Sequence, residues 1–388
     1  MTDTTAHHAA DAFLRASDAP WLLIGHLPGL GDHRWQALVD HLPDPLELLD
    51  FDVATLKALG LKPPAREAIL AWQHGDTNQP TLARAMAAWQ RCEALNIQRL
   101  HWADPDYPAL LRETHGAPPL LYLAGQRDVL SRPQLAMVGS RKATRAGLEH
   151  ARQFARALTE RGFVVTSGMA LGIDGAAHQG ALDANGATIG VLGTGIDVPY
   201  PAAHRALARA IPERGALLSE YPPGTRARAG HFPRRNRLIS GLSQGTLVVE
   251  ANLKSGSLIT ARLALEQGRE VFAIPGAINN PQVRGCHRLI RQGATLVETV
   301  DDIEEELASW GPPSTGPADS SAEASPPPIP EHLGAREQQI LRALEFETCS
   351  TDALCERTGL TADVLMQSIL MLELEGLILT VPGGYQRG

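Results

Sequence analysis

At 388 residues the chain exceeds one ordinary domain, and its 44% apolar content suffices to bury a large core. No apolar run approaches the roughly 18 residues of a membrane span, and no charged start precedes an apolar stretch at the N-terminus, which predicts a cytoplasmic protein without a signal peptide. The net charge of −8 would exclude a polyanion partner only if it were uniform. However, Ala136–Val300 holds 20 Lys and Arg against 11 Asp and Glu, leaving 15 against 32 elsewhere. Four cysteines, Cys92, Cys286, Cys349 and Cys355, lie far apart with no CxxC pair, a spacing that suits reduced thiols better than disulfides or zinc.

Residues 1–80 read as short helices with tight turns. In "LPGLGDHRWQALVDHL", Gly29 and Gly31 precede an amphipathic helix, a turn like that of a helix-hairpin-helix. Asp32, Asp40 and Asp44 would repel a phosphate there, so a packing module is the favoured reading. Residues 81–95 form a further helix, and a proline-rich stretch leads into a short strand near Leu120–Leu123.

From Leu135 the pattern alternates between short apolar strands and amphipathic helices. Strands are expected at 135–139, 163–167, 188–192, 216–219, 246–250 and 270–274, with helices at 148–161, 175–184, 203–211 and 258–267. That alternation predicts an α/β fold, a Rossmann-like, doubly wound parallel sheet over 81–310. Residues 311–332 are rich in Pro, Ser, Ala and Gly and predict a flexible linker. Residues 333–388 read as three helices and a hairpin, the pattern of a winged helix. From Ala335 onward this part carries 4 Arg against 8 acids. A DNA-gripping winged helix should be basic, so this one is expected to touch protein.

In an open parallel sheet, ligands bind beyond the carboxyl ends of the strands. The stretches that follow these strands are "GSRKATRAG", "SGMALGIDGAAHQG", "GTGIDVPYP", "EYPPGTRARAGHFPRRNRLISGLS", "EANLKSGSLITA" and "PGAINNPQVRGCHRLI". They share glycine-exposed backbone, hydroxyls and guanidiniums, the chemistry of phosphate binding. Arg226, Arg228, Arg234, Arg235 and Arg237 fall within twelve residues of each other. Several such loops on one rim would follow a chain of phosphates, with Phe232 placed to stack on a splayed base. Ser255 and Ser257 also suit a helix cap, and Asp174 lies one helical turn before His178. No Walker lysine, HExxH, GxSxG or magnesium-type carboxylate cluster is present, so the chain reads as a binder with no catalytic residues, metal or cofactor.

Together "VGSRKATRAG", "VVTSGMALGIDGAAHQGAL", "VLGTGIDVPYP", "FPRRNRLISGLS", "LVVEANLKSGSLITARLALEQGREVFAIPG" and "LIRQGA" resemble the DNA-processing protein A family (DprA, also called Smf), over roughly Asp104–Asp302. The helical flank in front is similar to a sterile-alpha-motif (SAM) domain. The resemblance implies an extended Rossmann fold and a homodimer that binds incoming single-stranded DNA in natural transformation. It also implies a non-enzymatic protein that protects this DNA, displaces single-strand-binding protein and loads the RecA recombinase. By position it assigns nucleic-acid binding to Gly139, Ser140, Arg141, Gly147, Phe232, Arg235, Asn236, Ser255, Gly256 and Ser257; Gly168, Arg234, Arg237 and Lys254 extend that track. The chain departs from the family's pattern at Gly285-Cys286-His287, where Gly-x-Asn is expected. The alternative is a nucleotide-binding or nucleotide-hydrolysing Rossmann-like enzyme related to phosphoribohydrolases and using Glu250, although that group's PGGxGTxxE signature is absent.

Overall fold

A computed structural model describes residues 2–308, 333–344, 349–374, 377–381 and 384–387. The expected linker at 311–332 lies outside the described residues. The chain divides into two compact units, Met1–Thr315 and Gly316–Gly388.

The larger unit is built on nine strands: β1 (Gln98–His101), β2 (Leu120–Gly125), β3 (Gln134–Val138), β4 (Val164–Ser167), β5 (Thr188–Val191), β6 (Ala216–Ser219), β7 (Gly245–Val248), β8 (Glu270–Ala273) and β9 (Thr295–Leu296). Their order across the sheet is β1-β2-β6-β5-β4-β3-β7-β8-β9. From β6 to β9 all pairings are parallel, with Leu135 opposite Val165 on one side and Gly245 on the other. This is the doubly wound parallel sheet expected from the sequence, and two further strands extend one edge of it. β1 and β2 pair antiparallel with each other, and β2 pairs antiparallel with β6.

Both faces of the sheet are covered, which is why its central strands are continuous apolar runs. Leu135 and Met137 of β3 pack on one face with Ala151, Ala155, Leu158 and Ile173. Ala136 and Val138 point the other way, into a core with Leu238, Ile239, Ala261 and Ala264. Two stretches expected as loops are helical, His231–Gly241 and Arg284–Arg291. Pro233 does not prevent the first, because it sits in the opening turn, where its missing N–H has no helical partner to lose.

The N-terminal helices are Thr2–Arg15, Ala19–His26, Asp32–His41, Val53–Ala58, Pro63–Gln73 and Pro80–Leu95. The expected boundary at residue 80 is not a break in packing. Phe13, Trp21, Trp35, Leu82 and Cys92 share one core with Leu120, Tyr122, Met169, Leu192 and Leu217 of the sheet layer. Burying each such large sheet residue contributes roughly 1.5–3 kcal/mol, so the helices are a structural wall of the sheet.

The smaller unit has helices Ala335–Ala343, Thr351–Thr358 and Ala362–Leu374 and a hairpin pairing Ile378–Val381 with Gly384–Arg387. It encloses its own core of Ile340, Leu344, Leu354, Leu365, Ile369 and Leu372. This is a winged helix. Among the described residues, no helix is long and apolar enough to cross a membrane.

Candidate nucleic-acid interface

The strand order runs outward from β3 in one direction through β4, β5 and β6, and in the other through β7, β8 and β9. A crevice must open where the order reverses, between the loops that leave β3 and β7. A cleft of about 490 Å³ lies there. Its lining includes Gly139, Ser140, Arg141 and Lys142 from the first loop and Asn252, Lys254, Ser255, Gly256 and Ser257 from the second. Phe232, Arg235, Asn236 and Ile239 line it from the helix His231–Gly241, and Asp174 and Gln282 are also part of the lining. Positions 232, 235, 236 and 239 are one helical face.

The first loop is held rigidly. Ser140 donates its backbone N–H to the Glu250 carbonyl at 2.7 Å, and its hydroxyl accepts from the Lys142 N–H at 3.1 Å. Gly139 allows this close approach, since a Cβ there would collide with Ile173 and the Glu250 carbonyl. Arg141 and Lys142 stand exposed and, among the described residues, form no ion pair. The second loop ends at the helix Ser257–Glu266, whose N-cap is Gly256 with no side-chain cap. The hydroxyls of Ser255 and Ser257 bond each other at 2.7 Å, and Lys254 is exposed beside them. The Ser257 N–H reaches the Ser255 hydroxyl at 3.4 Å, and the Leu258 and Ile259 N–H groups bond the Ser255 and Gly256 carbonyls. A helix start with no carboxylate on it, next to three exposed cations, attracts an anion through its partial positive charge.

Arg235 lines the cleft from below. It is 5% exposed, donates to the Val191 carbonyl, and sits beside Asp174, while its Nε is buried without a partner. Burial pushes the Asp174 carboxyl up to about 6 against the pull of the Arg235 guanidinium. Burial likewise lowers the Arg235 pKa. With Asp174 ionised, the lining holds four cations against one carboxylate. Phe232 packs over Gly193 and meets the Tyr200 ring with centroids 5.4 Å apart.

Four expected site residues are not on the cleft. Gly147 makes room for the Glu250 carboxylate, and Gly168 makes room for Arg235 and Asp174; a side chain at either position would collide. Arg234 and Arg237 lie on the back of their helix, where they meet Asp32 at 2.6 and 3.4 Å and both face Glu220. Their spacing from Phe232 carries this signal, because 234 and 237 are out of phase with 232, 235 and 239 on a 3.6-residue period. Conversely, Lys142, Asp174 and Gln282 line the cleft although the sequence pattern does not single them out for it.

The remaining candidates are structural. Glu250 does not line the cleft: its carboxylate accepts the Thr144 N–H at 2.9 Å and the Thr144 hydroxyl at 2.5 Å. His178 bonds the Gly168 carbonyl and the Thr188 hydroxyl rather than Asp174, and burial lowers its pKa to about 4. Cys286 is buried with its thiol pushed up to about 11 by burial. His287 bonds the Gly276 carbonyl at 3.0 Å, away from the cleft.

The family described as DNA recombination-mediator protein A matches residues 98–308, and the DprA winged helix domain matches residues 323–384. Protein Smf of Escherichia coli (strain K12) is 44% identical over 285 residues, covering 72% of this chain and 75% of that protein. DNA processing protein DprA of Streptococcus pneumoniae is 46% identical over 204 residues, covering 53% of this chain and 72% of that protein. The X-ray structure of the Streptococcus pneumoniae protein aligns with a TM-score of 0.64 at 35% identity, over 75% of this chain and 98% of that one. DNA processing protein A from Helicobacter pylori, whose structure is described as giving insight into its single-stranded DNA binding mode, aligns with a TM-score of 0.50 at 30% identity. That alignment covers 55% of this chain and 96% of the other. With motifs, sheet order, winged helix and relatives in agreement, the chain belongs to the DprA/Smf family.

Proposed function

We propose that this protein binds single-stranded DNA without sequence preference in the cleft between the β3 and β7 loops. The observation that carries the reading is that Arg141, Lys142 and Lys254, which form no ion pair among the described residues, gather around the start of the helix Ser257–Glu266. Arg141 and Lys254 meet phosphate oxygens, Gly139 and the Ser255–Ser257 turn let the backbone approach, and Asn236 and Phe232 meet the nucleotide. Such contacts carry charge and stacking but little base identity. The Helicobacter pylori relative, described by its single-stranded DNA binding mode, supports the choice of single strand. In the same reading the protein acts without catalysis, protects incoming DNA in natural transformation, displaces single-strand-binding protein, loads RecA and works as a homodimer. These last roles rest on family membership. A nucleotide-hydrolysing role is disfavoured because Glu250, its acid, is spent beneath a helix.

Titration against labelled mixed-sequence oligonucleotides, single- and double-stranded, over a salt series tests the reading. Binding that prefers the single strand and weakens steeply with salt is expected. Equal or absent binding rejects it, and turnover of a nucleoside monophosphate would restore the enzyme reading. RecA filament formation on DNA coated with single-strand-binding protein, with and without this protein, tests the loading step.

A further inference from the structure

The helix His231–Gly241 has two working faces. One presents Phe232, Arg235 and Asn236 to the cleft. The other carries Arg234 and Arg237 into a cluster with Asp32 and Glu220. Asp32 opens the helix Asp32–His41, two hundred residues earlier in the chain, and stands against Gly116, where a Cβ would come within 2.9 Å of the Asp32 Cβ. The Arg237 and Glu220 side chains are 11% and 5% exposed, so the charges have little water to lean on. Two guanidiniums against two carboxylates make the cluster neutral. Removing Asp32 would leave a net positive charge, half-buried, under the helix.

The geometry points to Asp32 as a positioning residue for the nucleic-acid cleft: the N-terminal helical region fixes the cleft-lining helix through the Asp32–Arg234–Arg237–Glu220 cluster. This rests on the proposed single-stranded DNA binding in the same cleft. Asp32 touches no part of the cleft lining and acts only by holding Arg234 and Arg237, and with them the phase of Phe232, Arg235 and Asn236. Arg234 is accordingly a strut, not a phosphate ligand.

The test compares the full-length wild type with Asp32→Ala, Arg234→Ala and the double variant, by titration with a labelled mixed-sequence single strand over a salt series. Asp32→Ala is expected to weaken binding a few-fold, because it frees the half-exposed Arg234 from its partner at 2.6 Å while the buried Arg237 keeps Glu220, with an unchanged salt slope because no phosphate contact is lost. The double variant also lacks the tie to the N-terminal helices and is expected to bind as weakly as Asp32→Ala; recovery of wild-type affinity in it would assign the effect to charge balance and overturn the inference. A variant that had merely lost global stability would show fewer active sites in a stoichiometric titration with the same dissociation constant. Hydrogen exchange without DNA reads the positioning by itself, and the amides of Leu238–Gly241 are expected to exchange faster in Asp32→Ala.

Wild-type affinity in Asp32→Ala overturns the inference while leaving DNA binding intact. So does a salt slope shallower by about 0.7 in Arg234→Ala, because Arg234 would then contact phosphate itself. If the wild type binds no single strand, the proposed function fails, and unchanged exchange in Asp32→Ala would overturn the positioning separately.

Discussion

The loops that follow β3 and β7 are near neighbours with nearly the same composition, yet they end in opposite states. Each has a glycine, a serine and at least one cation before a helix. The helix after β3, Arg145–Glu160, is closed at its start: Thr144 caps the Gly147 N–H at 3.0 Å, and Glu250 accepts from Thr144 twice. The helix after β7 begins at Ser257, whose N–H reaches the Ser255 hydroxyl at 3.4 Å; no carboxylate among the described residues bonds this start, which faces the cleft. Composition therefore does not make an anion seat. What decides is whether the protein has already placed its own carboxylate at the helix start, and here Glu250 leaves β7 to fill the seat after β3.

Glu250→Ala breaks the closed side and should have the largest effect. It leaves the Thr144 N–H and hydroxyl without their partner and opens a void under Gly147, costing about 3 kcal/mol. Chemical denaturation should show that loss, while the folded fraction keeps its affinity for single-stranded DNA within about twofold. Glu250→Gln, which preserves the shape, should lose only about 1 kcal/mol.

Arg141→Ala tests the open side. One lost phosphate contact should weaken binding of any sequence about tenfold and make the salt slope shallower by about 0.7 for a single strand. Fluorescence anisotropy over a salt series measures both. An unchanged affinity would remove Arg141 from the track.

Gly256→Asp would place a carboxylate at the open start. A Cβ at this position would meet no atom within 4 Å, and the backbone already has ordinary helical φ, so the fold accepts the change. The new carboxylate should stabilise the helix by about 0.3–1 kcal/mol through the helix dipole. It should also repel phosphate and weaken DNA binding several-fold. A gain in stability without a loss of affinity would show that the open helix start is not where DNA binds.

Most of the sheet was legible because β3 to β8 are buried on both faces and so leave uninterrupted apolar runs. β1 and β9 left too little signal: of Gln98–His101 only Leu100 is buried, and β9 is two residues long. The helix His231–Gly241 was hidden by its arginines and Pro233, which mimic a polar loop. Its apolar members Phe232, Leu238 and Ile239 are present but sparse. The cluster of five arginines reads as one track in the sequence because neighbours along a chain suggest a shared direction. The helix turns Arg235 inward and Arg234 and Arg237 backward, and leaves Arg226 and Arg228 outside it. Nothing in the local sequence announces Asp32 as their partner, since that pairing is made only by the folding of the N-terminal helices onto the sheet.

The smallest effect expected belongs to the one carboxylate that lines the open cleft. Asp174 carries a proton below about pH 6, because burial raises its carboxyl and Arg235, Arg141 and His204 only partly offset that. In the free protein it is mostly charged at pH 7.5 and mostly neutral at pH 5. Acidification therefore removes a negative charge from the floor of the cleft, and bound phosphate in turn favours the protonated form. Affinity for single-stranded DNA should rise a few-fold from pH 7.5 to pH 5 at constant salt, the direction linkage requires when the bound state takes up a proton. In Asp174→Asn that part of the rise should vanish, with tighter binding at pH 7.5. An equal rise in the variant would remove Asp174 from the effect, and the comparison between closed and open helix starts would then stand without it.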